Sequence, residues 1–145
     1  MDRYLITDLR DDYRAVLLDF MSEMSKWESL YYKKSMEDFD EATSGVKLES
    51  LIRADLTKIF HKYVLDQGRN YDRLENLVCS LHSDYDINSN KLEVIRVEDD
   101  VVSIGLKKAK GLSSLFRLTL VGEGGVCKIK RREIENKGKW EITYI

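Results

Sequence analysis

The spacing of apolar residues changes once along this chain, and that change limits its fold more than any other feature. Up to about residue 63, apolar side chains recur every three or four residues, whereas from Leu92 onward they recur every second residue. The first spacing is typical of amphipathic helices and the second of strands with one buried face. The sequence therefore predicts an α+β fold, with N-terminal helices packed on a curved antiparallel sheet.

The helical half contains two periodic segments joined by a polar one. The first covers residues 9 to about 32 and places Trp27 and Tyr31, one turn apart, on its apolar face. We interpret these two aromatic residues as core rather than as a ligand site. The segment 34–45, "KSMEDFDEATSG", predicts a connection, and residues 48–63 predict the second helix.

The second half is predicted to be a meander of five strands. In the last strand the alternation predicts that Trp140, Ile142 and Tyr144 face the core. The stretch "NLVCSLHS" before the meander fits either a further strand or an irregular crossing. The five strand segments are 91–100, 100–109, 114–123, 126–135 and 139–145.

Length and composition predict a single domain spanning residues 1–145, with 43% apolar residues as in globular proteins. The acids in the first twelve residues argue against a secretory signal, and no window approaches the roughly twenty apolar residues of a membrane span. Cys79 and Cys127 form no CxxC pair, so neither a disulfide framework nor a zinc site is indicated. We therefore expect a cytoplasmic protein without a cofactor.

Charge is distributed unevenly between the two halves. Through Asp100 there are 22 acidic and 14 basic residues, and from Val101 there are 4 and 10. The basic residues lie in hairpins mixed with glutamates, which argues against nucleic acid as the partner. The basic residues at 128, 130, 131 and 132 are interpreted as a solvated sheet edge, with Arg131 on the opposite face from the other three.

Five stretches occur in an order that resembles a known family: "FMSEMSKWESLYY", "LTKIFHKYVLDQGRNYD", "SDYDINSNKLEVIRVEDD", "LFRLTLVGEGG" and "GKWEITYI". Together they are similar to the bacterial immunity proteins of the nuclear transport factor two-like fold. The matching positions are Glu23, Trp27 and Glu28 on the first helix, Lys62 and Tyr63 on a later one, and Tyr85 and Asp86 before the sheet. The resemblance implies a cone-shaped half-barrel that neutralises one cognate toxin by binding it.

The stretch "LHSDYD" contains most of the candidate chemistry. His82, Asp84 and Asp86 alternate and could share a metal ion, but no second ligand cluster completes such a site. Because the same fold hosts isomerases and dehydratases, these residues and Tyr85 are also candidates for acid–base catalysis. Against that, "DINSN" after Tyr85 predicts an exposed turn in which the Asp86 side chain bonds to the following backbone.

The interpretation we prefer is that the protein is a non-catalytic antitoxin whose acidic residues contact a toxin domain. Acidic surfaces steer association with basic proteins, which many nucleic-acid-attacking toxins are. A homodimer through the outer face of the sheet is left open, and no membrane partner is expected. The residues predicted to bind the partner are Asp84, Asp86, Glu98, Asp99 and Asp100.

Overall fold

The computed structural model describes residues 9–37, 44–80, 83–98, 100–108, 114–123 and 125–145. Within these residues the chain forms two α-helices, a short 3-10 helix (Asp72–Leu74) and then five strands, which pair in chain order as an antiparallel sheet. This confirms the α+β fold, with the helices packed on a curved sheet. The helices are α1 (Asp11–Glu37) and α2 (Ser44–Tyr63), and the strands are β1 (Lys91–Glu98), β2 (Val101–Lys108), β3 (Ser114–Glu123), β4 (Val126–Asn136) and β5 (Lys139–Thr143).

Helix α1 continues about five residues beyond its predicted end, through Glu37. Lys33, Lys34, Met36 and Glu37 are strong helix formers, so the polar composition of this stretch does not end the helix. The buried stripe of α1 is the one that the spacing predicts. It includes Tyr13, Leu17, Phe20, Met24, Trp27 and Tyr31, and Met21 and Glu28 are buried beside it.

The concave side of the sheet is filled by side chains from both helices. Phe20, Met21 and Met24 of α1, which are fully buried, belong to one continuous core with the sheet. Helix α2 adds Leu56 and Phe60 to the same core. The sheet contributes Val94, Val102, Ile104, Leu106, Phe116, Leu118, Leu120 and Ile129.

Two irregularities in strand pairing change which residues face the core. In β1 the register shifts at Ile95, and in β4 it shifts at Lys130, where Thr119 pairs with Arg131 but Leu120 pairs with Ile129. An extra residue at such a bulge reverses the alternation beyond it. As a result Arg132 is buried, so the prediction of a solvated edge is wrong for this residue.

The predicted facing of β5 is also wrong. Ile142 is 55% exposed, whereas Ile145 is fully buried. The alternation is present, but β5 is an edge strand without a buried residue, so its apolar side chains stay at the surface. Trp140 instead packs against Arg117, whose guanidinium carbon lies 4.4 Å from the centre of the indole ring.

Residues 64–70 cover the part of β4 that β5 leaves unpaired. Val64 forms a parallel bridge with Ile129, and the Leu65 N–H donates to the Ile129 carbonyl at 2.9 Å. The Asn70 side-chain amide donates to the Lys130 carbonyl at 2.7 Å. Further along, residues 76–80 have no regular structure, so this part of the crossing before the meander is irregular.

Gly122 allows α1 to approach the β1–β2 turn. The Tyr13 hydroxyl and the Gly122 N–H each donate to the Asp100 carbonyl at 2.8 Å. A Cβ atom at position 122 would lie 2.6 Å from the Tyr13 hydroxyl oxygen. Because Tyr13 is a buried, rigid side chain, it would have to give up its hydrogen bond to make room.

We therefore expect Gly122→Ala to lower the free energy of unfolding by about 1–3 kcal/mol, the usual cost of overpacking. Urea denaturation followed by circular dichroism measures this change. In a Tyr13→Phe background the nearest remaining contact is the ring carbon at 3.4 Å, so the same substitution should cost less. An equal cost in both backgrounds would show that Tyr13 is not the obstacle.

Candidate functional site

Asp84, the first of the acids predicted to bind a partner, lies in a largely buried ion-pair cluster. Its carboxylate accepts hydrogen bonds from Lys108 Nζ at 2.8 Å and from Arg132 Nη1 at 3.2 Å. The side chains of Asp84, Lys108 and Arg132 are 26%, 11% and 3% exposed. Burial raises the pKa of Asp84, but the charge of Arg132 and the hydrogen bond from Lys108 outweigh it, so the pKa lies below its usual value.

Aromatic rings surround the guanidinium of Arg132. Its central carbon lies 4.2 Å from the Phe116 ring centre and 5.4 Å from that of Tyr144. Tyr85, also fully buried, accepts a hydrogen bond from Arg132 and donates one to the Ile145 carbonyl at 2.9 Å. We call Asp84, Tyr85, Lys108 and Arg132 the anchor cluster. It fixes the loop before β1 to strands β2 and β4.

Asp86 organises the turn that follows. Its carboxylate accepts the Asn88 N–H at 3.0 Å and the Ser89 hydroxyl at 2.8 Å. This is the side-chain turn that the sequence predicts, although Asp86 is only partly exposed. Asp86 also lines a cleft of about 310 Å³ between this turn and α1, together with Ser22 and Lys26.

Glu98 and Asp100, two of the other predicted acids, lie at the β1–β2 turn, at the opposite end of β1. Glu98 is exposed and forms an ion pair with Arg96, and Asp100 is exposed. Asp99 lies outside the described residues. Eight residues of β1 separate this turn from Asp86, a distance of about 26 Å at 3.3 Å per residue. The structure therefore does not bring the four predicted acids that it describes together into one site.

The first turn of α1 adds acidic residues that sequence reasoning missed. Because Tyr13 bonds to the Asp100 carbonyl, Asp11 and Asp12 lie at the same end of the molecule as the β1–β2 turn. Asp12 pairs with Arg10, and Asp11 pairs with Arg14. No local motif could have found this proximity, because it depends on how α1 packs on the sheet.

The histidines do not complete a metal site in the part of the chain that the structure describes. His82 lies outside it, and His61 is exposed on α2 with its ring 6.0 Å from that of Tyr71. Among the described residues, no group of three or more His, Cys, Asp or Glu side chains is placed to hold a metal ion.

A surface cleft lies between α1 and α2, which we call the helix cleft. Its volume is about 360 Å³. The buried side chains of Trp27 and Tyr31 contribute to its floor, so their predicted core role is confirmed, and they also have a face on the cleft. The lining residues are Glu23, Lys26, Trp27, Leu30 and Tyr31 from α1, and Asp55, Lys58, Ile59 and Lys62 from α2.

Hydrogen bonds hold the aromatic floor of the helix cleft in place. The Trp27 indole N–H donates to the Ile52 carbonyl at 3.1 Å, and the Tyr31 hydroxyl donates to the Asp55 carboxylate. Burial, with the bond to Asp55 as a second cause, raises the pKa of Tyr31 to about 12. The hydroxyl therefore stays protonated at neutral pH and continues to act as the donor.

Comparison with known proteins assigns the chain to a family. In the described segments, neither helix is long and apolar enough to cross a membrane. The family model described as NTF2 fold immunity protein, where NTF2 is nuclear transport factor 2, matches residues 12–144. No curated protein and no solved structure matches the chain. With the match covering nearly the whole chain and the fold agreeing, this protein belongs to the family of NTF2 fold immunity proteins.

Proposed function

We propose that this immunity protein neutralises one cognate toxin by binding it directly, without catalysis. The observation that carries the proposal is the family match over residues 12–144. In the described structure Cys79 and Cys127 are free thiols, which agrees with binding in the reducing cytoplasm. The toxin that such a protein binds would be encoded beside it, most simply by the upstream open reading frame.

The packing of the described core supports a binding role over an enzymatic one. An isomerase or dehydratase needs an acid or base that can exchange a proton with a substrate inside a pocket. Asp84 is held in its charged form by two cations, and Tyr85 is fully buried with its hydroxyl bonded to a backbone carbonyl. Phe20, Met21 and Met24 occupy the space above the sheet. Catalytic use of Tyr85 would require the core to open, and that of Asp84 would require its two cations to release it.

The acids at the β1–β2 turn are proposed as a contact with the toxin. Glu98 and Asp100 are exposed, and Asp99 lies between them in the sequence. Asp86, on its own turn, could reach a large partner at the other end of β1. Asp84 would contribute indirectly, since its ion pairs position the turn that contains Asp86.

Reversing the charge of Glu98, Asp99 and Asp100 to lysine should slow association with the toxin domain by about tenfold and change its dissociation less. Surface plasmon resonance with the C-terminal domain encoded by the upstream gene measures both rates. A matched control reverses Asp66, Glu75 and Glu141, which are exposed at other places. If both sets slow association equally, the effect reflects net charge alone. If neither set changes association, the acids at the β1–β2 turn are not part of the interface.

Rescue of growth tests the function itself. Co-expression of this chain with the toxin domain should restore growth of cells that the domain alone inhibits. If growth is not restored although both proteins accumulate, the proposed pairing is wrong. A homodimer through the outer sheet face would instead appear as concentration-dependent sedimentation that Ile142→Asp abolishes, because Ile142 is exposed there.

A further inference from the structure

The helix cleft has the composition of a protein-binding hot spot. Its floor contains a tryptophan, a tyrosine and two aliphatic residues. Leu30, which lines it, is 46% exposed, and Leu51, one turn before Asp55 on α2, is 53% exposed. Trp27, Tyr31 and Ile59 are only 4%, 3% and 8% exposed, so they form a firm apolar floor rather than the main contact area. Exposed leucines beside such a floor add apolar area that a partner could bury.

The floor is rigid before any partner arrives. Trp27 is fixed by its bond to the Ile52 carbonyl, and Tyr31 by its bond to Asp55. Behind Trp27, the guanidinium carbon of Arg73 lies 5.0 Å from the ring centre. A surface that is already ordered loses little conformational entropy when it binds, so its contacts contribute more to affinity.

Among the described residues that line the helix cleft, the charged side chains that form neither an ion pair nor a hydrogen bond are positive. Within the described part of the chain, Lys26 and Lys58 form no ion pair. The two acids of the lining are already engaged, because Glu23 pairs with Lys62 and Asp55 accepts the Tyr31 hydroxyl. Lys34 adds a further positive charge over the Tyr31 ring. The rim is therefore complementary to acidic side chains.

The dimensions of the helix cleft match a helix rather than a loop tip. Its α1 wall runs from Glu23 to Tyr31 and its α2 wall from Asp55 to Lys62. Eight residue steps of helix correspond to about 12 Å, or roughly two turns. Two adjacent helices with an apolar floor form the groove into which one amphipathic helix packs, using side chains spaced three and four residues apart.

A second copy of this chain fits the helix cleft poorly. In a twofold dimer the same patch meets itself, so a rim whose unpaired charges among the described residues are Lys26 and Lys58 would face a second rim with the same excess of positive charge. Like charges placed together across an interface oppose association. The occupant that satisfies both the apolar floor and the cationic rim is a different protein with an acidic flank.

We propose that the helix cleft binds an amphipathic helix of the cognate toxin, with apolar residues on Trp27, Leu30 and Ile59 and acidic residues beside Lys26 and Lys58. This rests on the proposed function, because it assumes that the immunity protein binds its toxin directly. It adds a second contact whose charge is opposite to that of the β1–β2 turn. A toxin that uses both surfaces would carry a basic region and an acidic helix.

Isothermal titration calorimetry with the toxin domain of the upstream gene tests this inference. Leu30→Asp should weaken binding by at least about 30-fold, the effect expected of a hot-spot residue. The double variant Lys26→Glu with Lys58→Glu should weaken it by about tenfold, and lysine substitutions of acids in the toxin helix should restore part of that loss. Thermal melts confirm that each variant is folded.

Matched controls separate the helix cleft from general surface effects. Ile142→Asp places the same new charge on an exposed apolar position of the sheet, and Lys91→Glu with Lys139→Glu makes the same change in net charge there. Both should bind like the wild type.

If the wild type binds but the cleft variants bind equally well, the inference fails and the proposed function stands. If the wild type does not bind at all, both fail. If Leu30→Asp instead abolishes a dimer of the free protein, the occupant is a second copy and the inference is overturned.

Discussion

The variant Asp84→Asn should unfold with a free energy about 3–5 kcal/mol lower than that of the wild type at neutral pH. The substitution keeps the shape of the side chain but removes the only negative charge of the anchor cluster. Lys108 and Arg132 would then remain charged and largely buried without a counter-charge. Breaking a buried ion pair by removing one partner costs this amount, because the remaining charge is neither solvated nor compensated. Urea denaturation at pH 7 measures the loss.

The same variant should also lose part of the pH dependence of stability. The folded-state pKa of Asp84 lies below its ordinary value, so the unfolded chain binds its proton more readily. The stabilisation is therefore complete above the unfolded pKa of about 4 and is lost as the pH falls through the lower, folded pKa. The gap in stability between wild type and Asp84→Asn should narrow as the pH falls below about 4.

Asp86→Asn is the matched control for this prediction. Asparagine can form the same side-chain turn, and the Asp86 carboxylate bonds to the Asn88 N–H and the Ser89 hydroxyl rather than to a cation. Its stability should stay within about 1 kcal/mol of the wild type. A similarly small change for Asp84→Asn would mean that the anchor cluster contributes little to folding.

The second large effect is expected at Arg73, which forms a buried ion pair with Glu28. The Arg73 Nη2 atom lies 3.1 Å from Glu28 Oε1 and donates to the Val78 carbonyl at 3.0 Å. The other Glu28 oxygen accepts the Ser80 N–H at 2.9 Å. Desolvation lowers the pKa of Arg73, but the charge of Glu28 outweighs it and holds the pKa above its usual value. This pair attaches the irregular crossing to α1.

Arg73→Met should therefore destabilise the protein by about 3–5 kcal/mol, because Glu28 stays buried without its counter-charge. The double variant Glu28→Gln with Arg73→Met should lose less than the sum of the single losses, since no unpaired charge remains. Chemical denaturation of the four proteins gives this cycle. Arg69→Met is the control, because Arg69 and its partner Asp72 are exposed and their pair should contribute less than about 1 kcal/mol. Strict additivity in the cycle would contradict the proposed coupling.

Periodicity predicts the central strands β2 and β3 well because each of them has a buried face. The observed bounds of β2 and β3 differ from the predicted ones by at most a residue. Periodicity fails where the backbone gains a residue, as at Lys130, and at the edge strand β5, whose alternating apolar residues stay at the surface. Neither feature has a reliable local signal in the sequence.

The anchor cluster could not be predicted from the sequence for a different reason. Asp84 is predicted to contact the partner, whereas in the structure it pairs with Lys108 and Arg132, which are 24 and 48 residues away. Only the folded sheet brings them together. Trp27 shows the opposite case, since its spacing predicts burial correctly but gives no indication that one face of the ring lines a surface cleft.

The separation between the residues of the core and those of the helix cleft also has an evolutionary consequence. The side chains that stabilise the cone, such as Phe20, Tyr85 and Arg132, are buried. Leu30, Lys26 and Lys58, which the helix cleft would use for recognition, lie on the outside of the helices and contribute little to the core. Substitutions at these outer positions can accumulate at little cost in stability. The same fold could therefore adapt its binding surface to a toxin whose sequence changes, or to a different toxin, while the residues of its core stay the same.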